Sequence, residues 1–276
     1  MRLYTIKAGG REKAALLKDD GLFHVLAYAD MNELLKDQDR KYQETGETFK
    51  QDAVQILAPV PRPLQDLVCV GVNYSAHRKE FEKQEKVSAA KDTIYFAKRV
   101  NEAVAPGGEI DAHEGYVSFL DYEAELGVII GKDALNVAYE DALDYVFGYT
   151  IINDVTARDV QKRHSQWYLG KSLDHFTPMG PCIVTADEIG DVHALAISCH
   201  VNGQLRQDSN TSLMIANVNK IICELTQGMT LKAGTIIATG TPSGVGMGME
   251  PPVSLKKGDE VVCEIEKIGK LVNTVN

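Results

Sequence analysis

Beyond residue 65 the chain is written in short runs of Val, Ile, Thr and Tyr, each cut off by Gly, Pro, Asp or Asn. "DLVCVGV", "TIYFAKR", "AELGVIIG", "VFGYTIIND", "GPCIVTA", "LAISCHVNGQL", "GTIIATGTP" and "DEVVCEIEKIGKLVNTV" follow one another along the sequence. β-branched and aromatic residues in runs of this length suit strands, and the residues between them suit turns. Helical stretches are fewer: "NYSAHRKEFEKQ", "TARDVQKRH" and "SLMIANVNKIICELTQ". The regular strand–helix alternation of a doubly wound sheet is missing. Neither a dinucleotide-type nor a P-loop glycine motif follows a strand. The expected fold class is α+β and predominantly β.

The first section has a different texture. "RLYTIKA" and "GLFHVLA" read as two strands joined by a polar turn, and "MNELLKDQ" as a short helix with Leu34 and Leu35 on its apolar side. "LAPVPRP" then places three prolines in five residues, which suits neither a helix nor a central strand. The expected division is a small N-terminal α/β domain over 1–58, a Pro-rich linker over 59–65 and a catalytic domain over 66–276. A formal net charge of −10 argues against a nucleic-acid or anionic-membrane partner. No apolar run approaches the ~20 residues of a membrane span, and "MRLYTIKAGG" is too short and polar for a signal peptide. Cys69, Cys182, Cys199, Cys223 and Cys263 are scattered with no CxxC, as expected of reduced thiols in a cytoplasmic protein.

"DYEAELGVIIG" puts Asp121, Glu123 and Glu125 on alternate positions beside a hydrocarbon run. If residues 122–130 form a strand, Tyr122, Ala124, Leu126, Val128 and Ile130 pack on one side and the acids share the other. That face is either solvated or a pair of hard oxygen ligands, because a divalent cation reverses the sign of carboxylate–carboxylate interaction. Asp154, at the end of "YTIIND", is either the N-cap of the next helix or a third ligand. An all-oxygen set with open positions suits Mg²⁺ or Mn²⁺ better than Zn²⁺. In "NYSAHRKE", His77 and Glu80 lie three apart, on one helical face. They are either surface groups or a general base with its orienting carboxylate. Lys171, among Trp167, Tyr168 and Phe176, either stacks its stem or neutralises charge developing on a substrate. Thr239, Gly240 and Thr241 end a strand in a Gly-rich loop that can hold a carboxylate.

Taken in order, "NYSAHRKE", "FAK", "YEAELGVIIGK", "GYTIINDVTARDVQ", "GKS", "VNGQLRQ", "TGTPSGVG" and the closing strand resemble the fumarylacetoacetate hydrolase family. The resemblance runs from about Val68 to Val275 and implies a mixed β-roll, a smaller variable N-terminal domain and a homodimer. It implies that Glu123, Glu125 and Asp154 bind Mg²⁺ or Mn²⁺, and that His77 and Glu80 activate water on a segment covering the substrate. Lys171 matches the family's active-site lysine, and Lys98 the lysine of the FxK motif. Thr241 matches the substrate-carboxylate loop, and Arg206 and Gln207 the VNGxxRQ pair. Arg99 stands where many members have proline, with its charge expected near the substrate mouth.

The chemistry such a site suits is that of a small 2-oxo acid. A metal gripping its carboxylate and ketone stabilises the enolate formed when a bond to C3 breaks. An acyl group on C3 makes the reaction a C–C hydrolysis of an acylpyruvate, which is the expected activity. A carboxylate there makes it an oxaloacetate-type decarboxylation, and a migrating proton makes it a keto–enol or double-bond isomerisation.

Overall fold

The computed structural model describes residues 1–39, 41–85 and 92–276. The long apolar runs pair into one 11-stranded sheet, flanked by a five-stranded sheet. From its centre to one edge the large sheet runs Met179–Thr185, Val146–Asn153, Ala124–Ile130, Ile236–Ala238, Leu67–Gly71 and Ile94–Lys98. Pairing is antiparallel except between Ile236–Ala238 and Leu67–Gly71. The five-stranded sheet contains Gln204–Asn210, Ala196–Val201, Glu260–Ile265, Gly269–Val275 and Glu109–Ile110. The fold is α+β and predominantly β, as the runs predict.

The strand Ala124–Ile130 is buried at every position because its two faces serve two cores. Ala124, Leu126, Val128 and Ile130 pack with Tyr149, Ile197 and Cys263. Ile129, on the other face, packs with Ile152, Ile183 and Leu3. Regular pairing begins at Ala124, so Tyr122 and Glu123 precede the strand rather than belonging to it.

The structure departs from the sequence reading in several places. Arg11–Leu17 forms a strand between the two predicted at the N-terminus, and Glu44–Lys50 forms another. The latter is almost wholly exposed at one edge of the sheet, so it carries no burial pattern to read. "LAISCHVNGQL" and "DEVVCEIEKIGKLVNTV" are each part of a hairpin, not one strand. Asn202 and Gly203 make the first turn with positive φ, 50° and 74°, the conformation an Asn-Gly pair favours. The helix in "SLMIANVNKIICELTQ" covers only Val218–Thr226.

Residues 1–58 extend the same large sheet, through pairing of Arg2–Ala8 with Met179–Thr185. Leu26, Met31, Leu34 and Leu35 share a core with Leu67, Cys69 and Ile236. In the Pro-rich segment, Pro59, Val60 and Pro61 are buried. It is pinned by Thr5 Oγ1 donating to Pro59 O at 2.7 Å and Ala103 N to Pro61 O at 2.8 Å. The five cysteines are free thiols. No helix of the described residues is long and apolar enough to cross a membrane.

Candidate metal centre

Register brings the acids together. Ala124 pairs with Asn153, which sets Glu123 and Glu125 beside Asp154, just past the neighbouring strand's end. Asp154 N donates to Glu123 O at 2.8 Å and Glu123 N to Asn153 Oδ1 at 2.9 Å, tying the two chain segments where pairing ends. Glu123, Glu125 and Asp154 each offer an oxygen, and the three atoms lie within 4.8 Å of one another. The side chains are buried, with Asp154 at 0% exposure. Asp154 is no helix cap: the following helix, Arg158–Arg163, has Ala157 at that position.

Three buried cations surround the acids. Lys98 Nζ lies 2.5 Å from Asp154 Oδ1. Lys171 Nζ lies 2.6 Å from Asp154 Oδ2 and 2.7 Å from Glu123 Oε2. Arg158 bridges Glu123 Oε1 at 2.6 Å and Asp121 Oδ2 at 2.9 Å. Burial disfavours the charged form of Glu123, but Lys171, Arg158 and His77 outweigh it and hold the carboxyl down at about 2. Burial also opposes the charge on Lys171, yet Asp154 and Glu123 raise its pKa, so the ammonium is a fixed cation and not a base. For Lys98, burial wins and the pKa is lowered despite Asp154.

Glu125 differs from its neighbours. Gly240 N donates to its Oε2 at 2.8 Å, and among the described residues no buried cation forms an ion pair with it. Burial, together with Asp154 and Glu123, pushes its carboxyl well above the usual range. Four buried carboxyls, counting Asp121, thus face three buried cations. A divalent cation held by Glu123, Glu125 and Asp154 would supply the partner Glu125 lacks and would formally turn a deficit of one positive charge into an excess of one. The donor set, hard oxygens only, fits Mg²⁺ or Mn²⁺.

Other residues brace this arrangement. Gly240 has φ +95°, and a Cβ there would lie 2.6 Å from Asn73 Cβ, so the N–H that holds Glu125 requires glycine. Gln207 is fully buried, accepting from Ala124 N at 3.0 Å and donating to Thr241 Oγ1 at 2.7 Å and Pro242 O at 2.8 Å. It fixes the backbone between the two glutamates. Thr239 Oγ1 donates to Leu126 O at 2.9 Å and faces the strand, not the cleft. Asp121, on the face that could have been solvated, is fully buried. Besides Arg158 it accepts from Gly246 N at 2.7 Å and Met247 N at 3.0 Å. It thereby joins the Gly-rich loop to the arginine that grips Glu123. Sequence reasoning gave Arg158 no role, although "TARD" contains it.

The acids open into a cleft of about 260 Å³. Glu123, Glu125, Lys171 and Arg158 line its floor, and His77 and Thr241 also face it. His77 Nδ1 is 3.0 Å from Glu80 Oε2, and Glu80 Oε1 accepts from Gly244 N at 2.9 Å. The helix Ser75–Glu85 is thus latched to the Gly-rich loop, leaving Nε2 of His77 for the cleft. Val70, Val72, Phe81, Phe96 and Trp167 supply apolar walls, which sequence reasoning had not placed there. Val72 has φ +54°, a conformation costly for a β-branched residue. Of the expected substrate contacts Thr241 lines the cleft, Gln207, Thr239 and Gly240 are spent on bracing, and Arg99 and Arg206 lie elsewhere. Arg99 is half exposed and pairs with Asp66 at 2.8 Å, and Arg206 reaches Gln204 Oε1 at 3.0 Å and Met249 Sδ at 3.2 Å. Lys98 sits beneath Asp154, out of the cleft lining.

Residues 66–276 match the family model described as fumarylacetoacetate (FAA) hydrolase, C-terminal. The chain belongs to the fumarylacetoacetate hydrolase family. It is 45% identical over 222 residues to the oxaloacetate tautomerase YisK of Bacillus subtilis, covering 80% of this chain and 73% of the relative. It is 44% identical over 224 residues to the mitochondrial oxaloacetate tautomerase FAHD2A of Homo sapiens, covering 80% and 69%. A fumarylacetoacetate hydrolase structure from psychrophilic Exiguobacterium antarcticum superposes with a TM-score of 0.89 at 39% identity, covering 100% of this chain and 99% of that one. A 5-carboxymethyl-2-hydroxymuconate delta-isomerase from Mycobacterium smegmatis gives 0.82 at 32% identity, covering 100% and 99%. This member of the family is therefore an enzyme of a superfamily whose relatives here include tautomerases and isomerases, and it carries a buried acidic triad able to bind a metal.

Proposed function

We propose that the protein is a metal-dependent tautomerase of small 2-oxo acids, interconverting keto and enol forms of oxaloacetate or a close analogue. The observation that carries this reading is one cleft lined both by Glu123 and Glu125, which form the triad with Asp154, and by His77, which Glu80 holds. The names of the tautomerase relatives support it. Glu123, Glu125 and Asp154 would hold Mg²⁺ or Mn²⁺, which supplies a Lewis acid for the carboxylate and ketone oxygens of the substrate.

The chain's own residues do the rest. His77 takes the proton from C3 through Nε2, with Glu80 holding the opposite ring nitrogen and so the orientation of the ring. Return of that proton to the ketone oxygen completes the enol. Lys171, kept charged by Glu123 and Asp154, contributes fixed positive charge beside that oxygen. The apolar walls limit water around the exchanging proton.

C–C hydrolysis of an acylpyruvate, the activity expected from the sequence, is the second reading. The same pair favours it, because a histidine that accepts a proton from C3 can also accept one from an attacking water. The two separate on assay. Metal-loaded protein given enol-oxaloacetate should speed its ultraviolet decay above the uncatalysed rate, and acetylpyruvate should be cleaved far more slowly. Rapid cleavage of acetylpyruvate with no effect on the enol would reverse the order of the readings. The homodimer implied by the family resemblance is likewise a proposal, open to sedimentation analysis.

A further inference from the structure

We propose that Trp167 is a positioning residue for His77: its ring is the seat on which the helix Ser75–Glu85 rests, through Phe81. The inference rests on the reading of His77 as the base. The helix, "SAHRKEFEKQE", is polar on every side, and Phe81 is its one large apolar side chain. A helix of that kind has no apolar stripe to bury and depends on a few specific contacts. His77, Glu80 and Phe81 lie three and four positions apart, on one face. Glu80 accepts from Gly244 N at 2.9 Å, which gives one point of attachment, to the Gly-rich loop. Phe81, one turn beyond His77, gives a second. Its ring packs edge-on against Trp167, with centroids 6.1 Å apart.

Trp167 is itself firmly placed. It packs edge-on against Phe96, on the strand Ile94–Lys98, with centroids 5.2 Å apart. It lies over Gly71, where a Cβ would come within 2.4 Å of the indole, so bare backbone makes room for the ring. Its carbonyl accepts from Lys171 N at 3.2 Å and begins the turn that brings Lys171 to the acids. Lys171 Nζ in turn stands 5.4 Å from the centroid of the Phe96 ring. The indole therefore sets the helix of the base against the same framework that carries the fixed ammonium. Proton transfer depends steeply on that setting: a misplacement of about 1 Å costs on the order of 10²-fold in rate.

The test is a double-mutant cycle on the full chain loaded with Mg²⁺, with exchange of the C3 protons of oxaloacetate in D₂O followed by NMR. Trp167→Ala and Phe81→Ala should each lower kcat by about 10- to 100-fold, while KM and Mn²⁺ affinity change little. The double variant should lose no more than about twofold beyond the worse single variant, because the two rings act as one contact. Trp167→Phe keeps an aromatic ring and drops the indole N–H, and it should recover most of the rate. Trp167 is the only tryptophan of the chain, so its fluorescence reads the contact directly. Phe81→Ala should shift the emission to the red and increase quenching by acrylamide. Unchanged kcat in either single variant, additive losses in the double variant, a parallel loss of Mn²⁺ affinity, or a Trp167→Phe as slow as Trp167→Ala each overturn the positioning role and leave the tautomerase reading standing. Failure of the wild-type enzyme to speed exchange overturns that reading and the positioning role with it.

Discussion

The floor and the mouth of the cleft are built on opposite principles. On the floor, Glu123, Asp154, Lys171 and Arg158 are buried, and each is fixed by two or more charged or backbone partners. At the mouth, Lys162, in the last turn of the helix Arg158–Arg163, and His164, just past its end, are exposed. A buried ionic network resists change, because removing one member strands another charge without water. An exposed cation can be exchanged at little cost to stability. The floor is thus the part that cannot vary cheaply, and the mouth the part that can.

Four substitutions probe that contrast. Glu123→Ala should have the largest effect, removing metal binding measured by calorimetric titration and lowering turnover by on the order of 10²-fold or more. Retained Mn²⁺ affinity with full turnover would break the assignment of the floor. His77→Ala should slow proton exchange by about 10²–10⁴-fold while Mn²⁺ affinity stays near wild type. A parallel loss of metal would mean that the wall and the floor are one unit.

Asp121→Ala comes next. It leaves Arg158 buried with one charged partner fewer and frees the N–H groups of Gly246 and Met247. Urea unfolding should show a loss of about 3–5 kcal/mol, with Asp121→Asn recovering part of it. A change below about 0.5 kcal/mol would show that the loop and Arg158 are held by other contacts. Arg99→Ala should be smallest. Its side chain is 54% exposed and pairs with Asp66, so stability should move by less than about 1 kcal/mol and KM for oxaloacetate should not change. A marked rise in KM would place Arg99 at the mouth after all.

Much of the floor was legible in the sequence, for a physical reason. Two acids spaced by two before an apolar run must share a face if a strand forms, and Asp154 ends the next long apolar run. The motif order added the rest of the set. What sequence could not supply was long-range bracing. Gln207 reaches Ala124 across 83 positions, and Asp121 reaches Gly246 across 125. No local pattern encodes such meetings. Arg99 misled because its charge was visible in the sequence while the direction of its side chain was not. The Asn202-Gly203 turn was a signal present in "VNGQ" that, read as a hairpin turn, divides the run correctly.

The pairing of Arg2–Ala8 with Met179–Thr185 has a consequence for the borders of the sheet. Met179–Thr185 lies beside Val146–Asn153, the strand that leads into Asp154, and all but one of its residues are buried. Strip away residues 1–58 and this apolar strand becomes an open border of the sheet, its free N–H and C=O groups a template for any extended chain that meets it. The outermost strand that takes its place, Glu44–Lys50, is largely exposed and carries Glu44, Glu47 and Lys50. Charges of that kind discourage edge-to-edge addition. The first section of the chain therefore guards the catalytic sheet against self-association, a service independent of anything that happens in the cleft.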